Sequence, residues 1–98
     1  MIFLTLKYLY EYTMEQKARR LGASEFGLSD RKDKRFYVVY DNKIIHFGLK
    51  HGHTFFDHHD KMKRANWRKR HSKIKNKRGE YVYLLKSSPS FWSYNLLW

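Results

Sequence analysis

The sequence predicts a small α+β fold, and three observations carry that expectation. Two runs of aromatic and β-branched residues, Phe36-Tyr37-Val38-Val39-Tyr40 and Ile44-Ile45-His46-Phe47, flank Asp41-Asn42-Lys43. A stretch from Asp57 to Lys77 opens with acids and continues with bases, the charge order that suits a helix dipole. A third apolar run, Tyr81-Val82-Tyr83-Leu84-Leu85, reads as a further strand. With 98 residues and no cysteine, the chain makes one domain at most, without disulfides or thiolate metal sites.

Met1 to Tyr12 is apolar but carries Lys7 and Glu11. A bilayer span needs about 20 apolar residues, and a signal peptide needs a basic start and a small-residue cleavage site; neither fits here. The segment reads as a strand docking on a partner through Phe3 and Leu4, or as an ordinary edge strand. Thr13 is placed to cap a short helix over Met14–Leu21, with Gln16 as its capping-box partner. Gly22 is the expected stop, and Gly22 to Asp33 reads as a polar linker. Residues 1–28 therefore form an N-terminal extension, and residues 29–98 a basic α+β domain with an aromatic tail.

Asp and Asn tolerate the positive φ that tight hairpin turns require, so residues 35–47 make a β-hairpin with Gly48 ending its second strand. Gly48 and Gly52 are expected to turn the chain with positive φ. Asp57 is a natural N-cap, with Asp60 at the third helical position. The helix has a thin apolar stripe: Met62, Ala65 or Asn66, Trp67 and Ile74. So narrow a stripe cannot hold it through its own core. Gly79 ends it, and Pro89 leads into an extended tail from Ser90 to Trp98.

Charge points to partners. Twenty-one basic residues against nine acidic give a net +12, which polyanions relieve. Ten of the basic residues fall in the eighteen positions from Lys61 to Arg78, with no acid among them: Lys61, Lys63, Arg64, Arg68, Lys69, Arg70, Lys73, Lys75, Lys77 and Arg78. They are the candidate contacts to a polyanion or an acidic partner; a solvated basic face is the plainer alternative. Lysine and arginine contacts to phosphate give salt-sensitive binding without sequence readout. No Cys/His finger, recognition-helix pattern or base-stacking signature is evident. Phe91, Trp92, Tyr94, Leu97 and Trp98 offer anchors for a neighbour's groove or complete the chain's own core. The limited core of so short a chain favours docking.

Five histidines (His51, His53, His58, His59 and His71) with Asp57 and Asp60 raise the question of a metal, but their spacing matches no tetrahedral motif. Adjacent His58 and His59 would point about 100° apart on a helix. A ββα nuclease would use His46 or His53 as base and His58 or His71 as ligand, yet its acid–histidine pair on the first strand is missing. The expectation is no enzyme, no catalytic or metal residue, no cofactor and no small-molecule substrate. The same residues have structural roles: Asp57 at a cap, His58 and Thr54 in the turn before the helix, and Arg70-His71 at its negative end.

From Ser29 to Trp98 the chain resembles small basic proteins of uncharacterised function from large double-stranded DNA viruses of algae and amoebae. The likeness runs through Lys32-Asp33-Lys34-Arg35-Phe36, the hairpin, His46-Phe47-Gly48, Gly52, Thr54-Phe55, Asp57-His58, Asp60, Asn66-Trp67, Arg70-His71 and a close on Leu97-Trp98. It departs at Asn76-Lys77-Arg78 and Ser88-Pro89-Ser90, where the family commonly has an Asn-Trp pair and an Ala-Gly step. The resemblance implies a viral origin. The expected function is a minor capsid-associated protein of the virion that bridges capsid subunits through the basic helix and the apolar ends. Its expected partners are other major and minor capsid proteins, and packaged DNA or an inner membrane surface. A sequence-independent nucleic-acid-binding protein, of packaging or ribosomal type, is the alternative.

Overall fold

The computed structural model describes residues 13–98, so Phe3, Leu4 and the proposed strand over Met1–Tyr12 lie outside the described residues. Helix α1 covers residues 13–20. Strands β1 (Glu25–Leu28), β2 (Lys34–Tyr40) and β3 (Lys43–Leu49) follow, then helices α2 (Phe55–His58) and α3 (Lys61–His71). A 3-10 turn at Val82–Leu84 leads to α4 (Pro89–Trp92), which runs on as a π turn over Ser93–Leu97. The fold is α+β: an antiparallel sheet in the order β1-β2-β3, with the helices supplying the cover.

The hairpin forms where the sequence places it. Tyr40 pairs with Lys43 across Asp41 and Asn42, whose φ values of 51° and 58° match a two-residue turn with both central residues left-handed. Alternation then puts Phe36 and Val38 of β2, and Ile45 and Phe47 of β3, on one buried face. Met14 and Ala18, one helical turn apart on α1, close over that face with Ala23. Phe91, Trp92, Leu96 and Leu97 complete the core.

Several expectations are corrected. The third strand is β1, inside the stretch read as a linker, and not Tyr81–Leu85. Only Tyr81 makes a bridge, to Lys75, and Val82–Leu84 winds as a 3-10 turn. Glu25–Leu28 is short and weak in propensity, but it meets the unpaired edge of β2 and the ladder decides. Thr13 lies within the helical residues and not before them. The long helix over Asp57–Lys77 is two helices. His59 is left-handed at φ 56° and ends α2, and Asp60 caps α3 by accepting from the Met62 and Lys63 amides at 3.0 and 3.1 Å. Asp57 is therefore not the cap of the basic helix. It sits in the single turn of α2, where its Oδ2 accepts from both the Thr54 amide (2.9 Å) and the Thr54 hydroxyl (2.8 Å).

Helix α3 stops at His71, well before Gly79. Lys69, Lys73 and Lys77 would stack like charges at i, i+4 spacing, which opposes continuation. Asn76 takes the chain instead: its Oδ1 accepts from the Arg78 and Glu80 amides at 2.9 and 3.0 Å, folding a turn there. The aromatic tail is helical, not extended. Ser88 accepts from the Ser90 amide, and Pro89 stands at the first helical position, where a missing N–H costs nothing. Phe91, Trp92 and Leu97 are buried in the chain's own core and do not project as docking anchors. Tyr94 and Trp98 are half-buried.

Gly52 has no positive φ; its place near Leu49 leaves little room, a Cβ there lying 3.1 Å from the Leu49 Cβ. Gly48 does have one, at φ 78°, and an added Cβ would lie 2.8 Å from the Leu97 Cδ1. Strain and overlap act together, so Gly48→Ala is expected to destabilise by about 2–3 kcal/mol. Urea unfolding measures this, and a shift below about 0.5 kcal/mol would contradict the packing of tail on strand.

Candidate functional site

Every residue of α3 is exposed or half-buried. Its inner row is Arg64, Trp67, Arg68 and His71, spaced i, i+3, i+4, i+7. The row is fastened by aromatic contacts, not by aliphatic burial. The Arg64 guanidinium lies 4.1 Å above the Phe55 ring, and that of Arg68 lies 4.9 Å above Tyr94. Arg68 also donates from Nη2 to the Trp98 carbonyl at 2.8 Å. Trp67 is near-parallel to His71 at 3.8 Å and to Trp98 at 4.8 Å between centroids. His71 donates from Nδ1 to the Trp67 carbonyl at 2.9 Å, which fixes the ring in place. His58 meets Trp98 edge-on at 5.5 Å, so α2, α3 and the tail share one run of rings.

Two of the ten predicted cations, Arg64 and Arg68, are thus turned inward. The other eight, Lys61, Lys63, Lys69, Arg70, Lys73, Lys75, Lys77 and Arg78, are exposed. Lys75 rests its ammonium 4.8 Å above Tyr81. Among the described residues, the ion pairs are Arg19–Glu15 and Arg35–Asp57, so none of these eight is held in a close ion pair. The nearby Asp60 carboxylate is occupied as a cap: the hydrogen bond from the Lys63 amide, then that from Met62, holds it below its ordinary pKa. Crowding of positive charge reaches α1. Lys17 is held below its ordinary pKa by loss of solvent and then by repulsion from Arg68.

The histidines and acids of the sequence cluster are dispersed. His46 is bonded through Nδ1 to the Ser29 hydroxyl at 2.7 Å. His58 accepts at Nδ1 from the Asp60 amide at 2.8 Å, and its buried Nε2 has no partner. Among the described residues, no three His, Asp or Glu side chains gather to hold a metal ion. Phe47 is core, and Asp57 pairs both carboxylate oxygens with Arg35 at 2.7 Å each. The sequence gives no sign of this role for Arg35, because its partner lies 22 positions away. Beside the ring run lies a cleft of about 410 Å³, bordered by Lys34, Leu49, Trp67, His71, Ser90 and Ser93. It too has no signature in the sequence, since its walls come from separate elements. No helix among the described residues is long and apolar enough to cross a membrane.

No curated protein and no solved structure matches the chain. A family of unknown function, DUF5754, matches residues 25–71. The matched segment runs from the start of β1 to the last residue of α3, taking in the sheet, the α2 turn and the basic helix. Over that segment the chain is similar to the family.

Proposed function

We propose that this chain binds nucleic acid through the phosphate backbone, using the cations of residues 61–78. The observation that supports it is the set of eight exposed, acid-free cations carried on a domain whose core is filled by its own tail. Phosphate is the partner whose charge density answers such a set, and contact releases condensed counterions. No element with base-reading chemistry is needed for that affinity.

The test is filter binding with two duplexes of unrelated sequence over a salt series. Both are expected to bind within about tenfold of each other, with affinity falling steeply as salt rises. The triple variant Lys73→Gln, Lys75→Gln, Lys77→Gln should flatten the log–log salt slope by about 0.9 for each phosphate it no longer neutralises. No binding of either duplex at about 50 mM salt would end the proposal.

A second reading keeps the chain as a minor capsid-associated protein of a large DNA virus, in line with the sequence resemblance. Leu28 and Ile44 favour it: they are 64% and 65% exposed and border one groove on the sheet with Glu25 and Asp30. A neighbouring capsid protein would cover such a patch. With Phe91, Trp92 and Leu97 internal, bridging would depend on this patch and the basic face. Finding the chain in purified virions, contacting capsid subunits in an imaged particle, would favour this reading.

A further inference from the structure

We propose that α3 lies in the major groove of duplex DNA, with Met62, Ala65, Asn66 and Lys69 turned toward the base edges. The inference rests on nucleic acid being the polyanion of the preceding reading.

The helix carries two rows of the same spacing. The inner row at 64, 67, 68 and 71 meets the aromatic seam. A second row at 62, 65, 66 and 69 sits two residues earlier at each place, which turns it about 200° around the axis. Its four members are all exposed or half-buried, and Met62 is 75% exposed. Lys61 lies to one side of this row and Lys63 and Arg70 to the other, at about 100° per residue. Cations thus flank a ridge that is itself poor in charge.

That distribution selects among partners. A flat acidic protein face or a lipid surface would meet the ridge first, and three of its four residues carry no charge. A groove with phosphates on both walls meets the flanks and receives the ridge between them. The major groove of B-DNA is about 12 Å wide and admits a helix. The ridge chemistry suits what it would find there: methyl groups for Met62 and Ala65, and base-edge acceptors and donors for Asn66 and Lys69. Lys73, Lys75, Lys77 and Arg78 follow the helix end and continue the phosphate contacts. Asp60, at the start of the helix, has its Oδ1 already engaged by two amides. The outward row Met62, Ala65, Asn66 and Lys69 is exposed, as insertion requires.

The experiment compares one duplex DNA with the same sequence carrying glucosylated 5-hydroxymethylcytosine, which fills the major groove and leaves the phosphates unchanged. An RNA duplex, whose major groove is too deep and narrow to enter, is the second arm. Both should bind at least about tenfold more weakly than the plain DNA, while the minor-groove ligand distamycin should not compete. Ala65→Phe, on the outward ridge, should lower DNA affinity by a similar factor and leave binding to inorganic polyphosphate unchanged. Equal binding of plain and glucosylated DNA, or competition by distamycin, overturns the groove placement while phosphate binding stands. Failure to bind DNA and polyphosphate alike overturns both.

Discussion

Trp92→Ala is expected to cost about 3–5 kcal/mol, the range for deleting a buried aromatic side chain. The side chain is 0% exposed. It packs against Phe91 at 5.0 Å and Tyr40 at 6.1 Å between centroids, and its Nε1 donates to the Lys86 carbonyl at 2.7 Å. Truncation removes this packing and leaves that carbonyl without its donor. Small domains are stable by only about 5–15 kcal/mol, so the substitution removes a large share of the total. Chemical denaturation against the parent chain measures the loss. Were the tail an anchor for a neighbour, the isolated variant would keep its stability to within about 0.5 kcal/mol. That result would refute the internal placement of Trp92.

Asp57→Asn should follow at about 1.5–3 kcal/mol, solvent screening having been allowed for. The Asp57 and Arg35 side chains are 25% and 23% exposed and meet through two 2.7 Å contacts. Arg35 also lies 5.2 Å from the Phe36 ring and 5.6 Å from that of Phe56, so the pair ties β2 to α2. Desolvation alone would raise the Asp57 pKa. The hydrogen bonds from Arg35 and Thr54 outweigh it and hold the carboxyl well below the usual carboxylate range. A depressed folded pKa gives stability that is fully present above the unfolded value and lost as pH falls toward the folded one. The parent should therefore lose stability more steeply than Asp57→Asn as pH drops below about 4. Melting temperatures taken from pH 6 to pH 2 show the difference; parallel curves would mean that the pair contributes nothing.

The hairpin is legible in the sequence because its information is local: two period-2 runs and an Asp-Asn turn specify it without reference to the rest of the chain. Strand β1 is not legible. Its four residues owe their conformation to the edge of β2, and a window on Gly22–Asp33 sees mostly turn formers. Around Asp57 and Asp60 the sequence identifies the residues but exchanges their parts, since either aspartate satisfies the same cap pattern. What separates them is the left-handed His59 between. The tail misleads for a different reason. A dense aromatic run reads alike whether it enters its own core or another's, and only the sheet face over which Phe91, Trp92 and Leu97 close decides it. On α3 the cations are plain, but the inner row hides its purpose because two of its four members are arginines resting on rings.

The parallel indoles of Trp67 and Trp98 give the molecule a built-in optical reporter. Stacked against each other, both rings are held in fixed asymmetric surroundings, so the near-ultraviolet dichroism of this pair registers whether the cationic rod is clasped or released. Trp92, sealed elsewhere with its N–H on the Lys86 carbonyl, registers melting of the body. Loosening of the rod and collapse of the domain therefore leave separate signatures in one unlabelled sample.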